Sequence, residues 1–156
     1  MQVLLIILVV LAVILAVFLA ARAHKSRSKT VPETPSDSLA PCPITPNCVC
    51  SETGTASSHA VEPLRLRVES GEQVIPRLIG LVEDLGGEVV HSDDRVVQAV
   101  FLSGVFGFAD DLAFRVDPDN AAIHIRSASR VGTSDLGANR KRVEQLRRRW
   151  EAENGS

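Results

Sequence analysis

The stretch LAFRVDPDNAAIHIRSASR, residues 112–130, decides the fold. Leu112, Phe114 and Val116 alternate with Ala113 and Arg115, the period of a strand with one buried face. Asp117-Pro118-Asp119-Asn120 is turn chemistry, because proline presets φ and Asp or Asn bonds its own backbone. Residues 121–130 read as the returning strand. Its Ile123 and Ile125 share one face, and His124, Arg126 and Arg130 share the other. Strands joined by so short a turn run antiparallel.

Further strands precede this hairpin. Residues 95–103 are β-branched and apolar on both faces, as in a central strand. Gly104 and Gly107 then mark a bulge or turn. Residues 88–91 read as a short strand, closed by the turn Ser92-Asp93-Asp94. Before it, Val74, Ile75, Leu78, Ile79, Val82 and Leu85 recur at helical spacing. Ser70 with Gln73 forms a capping-box pattern, Pro76 falls near the first turn, and Gly86-Gly87 stop the helix. Leu64, Leu66 and Val68 alternate with Arg65 and Arg67 as a first strand. Downstream, residues 139–151 read as a helix with Val143, Leu146 and Trp150 on one side, and Glu144–Arg148 pairs at i,i+4 on its exposed face. The order β-α-β-β-β-β-α predicts an α+β domain over residues 61–152. It has one antiparallel sheet of about five strands and two covering helices.

The other end of the chain is different. Residues 3–21 are unbroken apolar sequence, and at ~1.5 Å per residue they span ~29 Å, the hydrocarbon thickness of a bilayer. Residues 1–23 are therefore expected to be an uncleaved single-pass transmembrane anchor, although Ala21-Arg22-Ala23 resembles a signal-peptidase site. Removing this segment lowers the apolar fraction from 45% overall to about 37%, ordinary for a polar soluble domain. A chain of 156 residues so divided excludes a multi-pass protein, a fibrous protein, a wholly disordered chain and a large enzyme with a separate cofactor domain.

Residues 24–40, basic and then rich in Pro, Ser and Thr, are expected to be a disordered linker. Residues 41–60 form a cysteine-containing loop segment. Its Cys42, Cys48 and Cys50 are the three cysteines of the chain. They admit a Cys42–Cys48 disulfide with Cys50 free, three inert thiols, or a metal or redox site with His59. The side of the membrane stays open. Arg22, Lys25, Arg27 and Lys29 favour the cytoplasm by the positive-inside rule, and the cysteines favour export.

Residues 59–138 carry 13 acidic and 7 basic side chains, and residues 139–156 carry 3 and 6. The acidic body would repel a polyanion, so no nucleic-acid partner is expected. The richest polar stretch runs from His124 to Arg140. Loop amides near a helix start attract anions, and Arg126, Arg130 and Arg140 add charge-assisted donors. The candidate ligand-binding set is Arg126, Ser129, Arg130, Ser134, Asp135, Asn139 and Arg140, with Asp110 and Asp111 orienting the arginines. The bland alternative is a salt-bridge network of Asp110 and Asp111 with Arg126 and Arg130. Ser134 or Asp135 would cap the final helix.

Four stretches resemble the bacterial and plastid family of domain of unknown function 1499. They are Cys42-Pro43-Ile44-Thr45-Pro46-Asn47-Cys48-Val49, then His59 with Pro63, then residues 106–115 (FGFADDLAFR), and finally residues 125–143, which carry Arg126-Ser127-Ala128-Ser129-Arg130 and Asn139-Arg140-Lys141-Arg142. Together they cover residues 39–150. Cys50 stands where the family usually has Ser, and Thr133 where an aromatic is common. The resemblance implies the domain and no reaction.

The expected function is thus a membrane-tethered, non-catalytic binding or structural module with an Arg-lined pocket for a small anion or lipid headgroup. Its partners are the lipid membrane and a small anion. No cofactor, metal or catalytic residue is assigned. The alternatives are an enzyme using Asp110, Asp111 or Asp135, and a cysteine-based redox or metal module. No nucleophile elbow, P-loop or zinc-hydrolase motif is present.

Overall fold

A computed structural model describes residues 1–29, 34–35, 37–66, 74–104 and 106–154. Its elements are α1 (Gln2–Arg27), β1 (Cys48–Cys50), β2 (Leu64–Arg65), α2 (Val74–Asp84), β3 (Glu88–Ser92), β4 (Val96–Leu102), β5 (Ala109–Asp117), β6 (Ala122–Ser129) and α3 (Ala138–Asn154). The fold is α+β. One antiparallel sheet runs β1-β6-β5-β4-β3, and β2 pairs with β6 beside β1.

The sheet has six strands where about five were expected. The extra strand, β1, comes from the cysteine segment read as loop. All three of its residues are buried, so it carries no alternation to read, and prolines at 41, 43 and 46 precede it. The expected strand over residues 64–68 is described only through Leu64–Arg65. The Ser70–Gln73 capping pair lies outside the described residues. Residues 88–91 do form a strand, with a register shift between Val89 and His91.

Strand alternation sets the core. Val97, Ala99, Phe101, Leu112, Phe114, Val116, Ile123 and Ile125 face α2 and α3, which contribute Val74, Leu78, Leu81, Val82, Val143, Leu146 and Trp150. Each fully buried Leu, Ile or Phe here contributes about 1.5–3 kcal/mol of apolar transfer. Gly87 follows α2 where the backbone meets Phe101. A Cβ there would stand 2.6 Å from the Phe101 ring and 2.7 Å from Val82, so only glycine fits. Trp150 Nε1 donates to Arg65 O at 2.9 Å and ties α3 to β2.

The opposite sheet face is covered by the chain that precedes β1. Leu39, Cys50 and Ala113 form a small buried cluster with Cys42 packed against it. Gln98 Nε2 donates to Thr34 Oγ1 at 2.8 Å, and Leu39 N donates to Glu52 Oε1 at 3.1 Å. The stretch 24–40, expected to be a linker, has described residues at both ends. Residues 24–27 continue α1, and Thr34 and Leu39 are fixed on the sheet. A strand that is apolar on both faces needs two covers, and here the second is chain that carries no periodicity of its own.

Helix α1 is long and apolar enough to cross a membrane, with a mean hydropathy of 3.6 in its best window and none of that window buried. Its last turn behaves differently. Ala23 and Ser26 are fully buried. Ser26 Oγ donates to Ala109 O at 3.3 Å and accepts from Ala109 N at 3.0 Å. Arg27 reaches Gly107 O at 3.5 Å. Gly107 sits at φ +66° in the β4–β5 turn, and a side chain there would collide with the Arg27 guanidinium. Helix and domain are thus joined by packing at the start of β5.

Candidate functional site

The polar run from Asp110 to Arg142 is divided by strand geometry. Neighbouring residues of a strand point to opposite faces, so Asp110 and Asp111 cannot orient one common cluster. Asp110 faces α3, where its Oδ2 accepts from Arg142 NH2 at 2.8 Å. Asp111 faces the other way, and its Oδ1 accepts from Arg130 Nε at 2.8 Å and NH2 at 2.7 Å. The expected network is thus correct for Asp111–Arg130, but Asp110 pairs with Arg142 rather than Arg126.

Arg130 is the join between α1 and the sheet. Its NH1 donates to Lys29 O at 2.6 Å, with Arg27 O at 3.4 Å and Ser26 O at 3.5 Å. The Ser26 and Arg27 carbonyls belong to the last turn of α1, where the helix dipole is negative, and Lys29 lies two residues beyond it. Lys29 Nζ returns a bond to Arg130 O at 2.7 Å. Arg130 is therefore occupied as a C-terminal cap.

The other two arginines lie elsewhere. Arg126 stands opposite Cys50 and Ala113 in the strand register. Its Nε is buried without a hydrogen-bond partner among the described residues, and burial pushes its guanidinium below the ordinary arginine value. Arg140 donates to Ala60 O at 3.0 Å and Ser58 O at 2.9 Å. The expected three-arginine pocket does not form, because Arg126 and Arg130 share the face away from α3 and Arg140 belongs to that helix.

Asn139 is fully buried at the first turn of α3. Its Nδ2 lies 2.8 Å from Asp135 Oδ2, 3.0 Å from Ser129 Oγ and 3.1 Å from Asn47 O. Its Oδ1 accepts from Ser127 Oγ at 2.6 Å and Arg142 NH1 at 2.7 Å. Asp135 also caps the helix, accepting from Asn139 N at 2.8 Å and Gly137 N at 3.0 Å. Burial pushes the Asp135 carboxyl up, and these N–H donors outweigh it and hold the pKa below the ordinary aspartate value. Ser134 Oγ accepts from Leu136 N at 3.3 Å.

Part of the expected set does line one cavity. A space of about 490 Å³ lies between α1 and the loop after β6, lined by Leu19 and Arg22 from the helix and by Asp110, Ser129, Thr133, Ser134 and Asp135, among others, from the domain. Arg126, Arg130, Asn139 and Arg140 do not line it. Arg22 was read only as a membrane flank. Its guanidinium lies 5.7 Å from the Phe18 ring centroid and makes no ion pair with a described residue.

Two further groups escaped the sequence reading. Arg142 stacks 4.6 Å from the Phe101 ring centroid while bonding Asp110, Ser127 and Asn139. Its signal was its place in the Asn-Arg-x-Arg run. On the face away from the helices, Arg115 makes a two-armed pair with Glu52 at 2.8 and 3.1 Å. His124 lies 3.7 Å from Glu52 and 3.6 Å from Asp117. Arg115 and His124 are cross-strand partners, which the hairpin register makes visible. Glu52 carries no such signal. On α3, Glu144 pairs with Arg147 at 3.3 Å rather than with Arg148, as was expected.

Cys42 and Cys48 form a disulfide with a Cα–Cα distance of 5.6 Å, and Cys50 is buried and free. His59 is buried with Nδ1 2.9 Å from Cys48 O. Two of the three sulfurs are thus unavailable as thiolates, which corrects the four-ligand zinc reading. No metal-binding cluster occurs among the described residues.

Residues 38–149 match the family described as protein of unknown function (DUF1499). The chain belongs to this family. The match begins beside Leu39, so the family unit includes Leu39 of the second cover and β1 as well as the α+β domain first expected from residue 61. No curated protein sequence matches the chain.

Proposed function

We propose that this DUF1499 protein is a single-pass, membrane-anchored, non-catalytic binding module whose cavity receives a lipid headgroup. The observation that carries this reading is the shared lining of the cavity by Leu19 and Arg22 of α1 and by the loop after β6. Leu19 lies within the apolar run of residues 3–21, and Arg22 follows it directly. With that run filling the hydrocarbon, the cavity is held at the depth of the headgroups. Arg22 supplies a cation for phosphate. Asp135, held by neutral N–H donors rather than by a cation, places negative charge on the domain wall, so a zwitterionic headgroup fits better than a bare anion.

Asp110, Asp111 and Asp135 are each engaged by arginine or backbone donors, which supports binding over acid–base chemistry. The Cys42–Cys48 disulfide supports an exported domain. An Asp119→Cys variant labelled by a membrane-impermeant maleimide in intact cells is the expected result, and no labelling would reverse the orientation.

The binding test uses the full chain in a neutral detergent, titrated with dihexanoyl phosphatidylethanolamine and, separately, with inorganic phosphate. Amide resonances of Gly132 and Thr133 are expected to shift saturably with the lipid and less with phosphate. Arg22→Gln is expected to weaken the lipid response about tenfold, the loss of one charge-assisted contact. Unchanged binding in that variant, or no saturable shift, refutes the headgroup reading. An equal response to both ligands makes it a phosphate site.

A further inference from the structure

The two ends of the sheet differ in chemistry. One end carries the β3–β4 turn with Asp93 and Asp94 and the β5–β6 hairpin with Asp117 and Asp119. The other end is the row where Leu102 pairs with Ala109, Asp110 with Ser129, and Cys48 with Ala128. From this second end α1 departs, through Ser26 on Ala109 and through Arg130 on the carbonyls of Arg27 and, just past the helix, Lys29.

Five large apolar side chains outside α1 are exposed among the described residues: Ile44, Val90, Leu102, Phe106 and Leu136. All but Val90 lie at the α1 end. Leu102 ends β4, and Phe106 is in the turn that follows. Ile44 is in the disulfide loop, which Asn47 fastens to this end through Ser129 N at 2.9 Å and Gly132 O at 2.9 Å. Leu136 lines the cavity shared with Leu19. Ile44 is 96% and Leu136 91% exposed.

Leu136 also sits at φ +53°, a left-handed conformation costing about 1–2 kcal/mol for a residue with a Cβ. The turn closed by Ser134 Oγ on Leu136 N and by Asp135 Oδ1 on Gly137 N holds this backbone and leaves the apolar side chain outward.

We infer that the α1 end of the domain inserts Ile44, Phe106 and Leu136 into the interface of the bilayer that α1 crosses, giving the chain a second membrane contact. Continuity with α1 identifies lipid as the occupant, because Leu136 shares a cavity with a helix residue two positions inside the apolar run. Arg22, Lys25, Arg27 and Lys29 ring the same end and suit anionic or zwitterionic headgroups, as in interfacial anchors. The acidic far end is turned away from the membrane surface. This inference requires α1 to be in the bilayer, and it holds whether or not the cavity takes a headgroup.

The test places nitroxides singly at Leu136→Cys, Ile44→Cys, Leu11→Cys and Asp119→Cys, on the full chain in a Cys50→Ser background. The protein is reconstituted in phosphatidylcholine–phosphatidylglycerol vesicles, and collision rates with oxygen and a water-soluble nickel chelate are read by spin resonance. Labels at 136 and 44 are expected to gain oxygen contact and lose nickel contact about fivefold relative to 119, as an interfacial depth requires. Nickel contact equal to that at 119 refutes the inference. Loss of contact with both reagents at 136 and 44 also refutes it, since a protein partner or second copy would then cover this end. The label at 11 reports on α1 itself, so its failure overturns the anchor reading instead.

Discussion

Asn139 has the least freedom of any polar side chain described. Both ends of its amide are used, and its surroundings exclude water. Asn139→Ala leaves Ser127, Arg142 and Asn47 O short of a partner, at a cost of about 3 kcal/mol. The expected result is a fall in Tm of roughly 10–20 °C for a domain of this size, measured in detergent by the emission of Trp150, the single tryptophan. Asn139→Asp should restore little, because a carboxylate cannot donate to Asn47 O or Asp135. The helix cap at Asp135 was legible, since capping is local and follows from residue type beside a helix start. The partner of Asp110 was not. Arg126, Arg130, Arg140 and Arg142 are equivalent in composition, and only the face each occupies selects Arg142. Strand alternation already separates Asp110 from Asp111, so only Asp111 can share a face with Arg126 and Arg130.

Among the elements, the cap of α1 by Arg130 is the most consequential. Arg130→Ala removes the donors to the carbonyls of Ser26, Arg27 and Lys29 and frees Asp111. The last turn of the helix should then open about tenfold more often, for a loss of about 1.4 kcal/mol locally. Trypsin cleavage after Arg27 and Lys29 measures this, and an unchanged rate would show that Ser26 and Ala23 hold the turn alone. The disulfide loop is the second such element. Reducing Cys42–Cys48, or replacing Cys42 with Ser, should lower stability by about 2 kcal/mol, the loop-closure effect for so short a ring, read as a shift of the denaturant midpoint. The strands β5 and β6 and both covering helices were legible because periodicity repeats over eight or more residues, and β4 because its run is β-branched and apolar on both faces. The strand β1 and the cover formed by Thr34 and Leu39 were not, because three buried residues and an irregular segment have no period.

At the scale of the molecule, carboxylates set the response to acid. Burial pushes the Glu52 carboxyl up, and the bonds from Arg115 and Leu39 N with the nearby His124 charge outweigh it, leaving the pKa below the ordinary glutamate value. The side-chain bond from Asn120 does the same for Asp117, and Asp135 is lowered as described. A group whose folded pKa is lowered stabilises the fold above its unfolded pKa, about 4, and loses that contribution as pH falls through the folded value. Tm is therefore expected to be flat near neutrality and to drop progressively below about pH 4. Glu52→Gln should lower Tm at neutral pH and flatten the acid limb, and an unaltered limb would place the sensitivity elsewhere. The fold class was visible from the order of elements, and a strand apolar on both faces already called for a second cover, but the segment that supplies it was not visible. The fusion of α1 to β5 and β6 also has a mechanical outcome. A strand of nine residues is about 30 Å long. With α1 in the bilayer, as proposed, a tilt of about 20° to suit a thinner bilayer would swing the Asp117–Asn120 tip sideways by about 10 Å, turning membrane thickness into the reach of an outrigger.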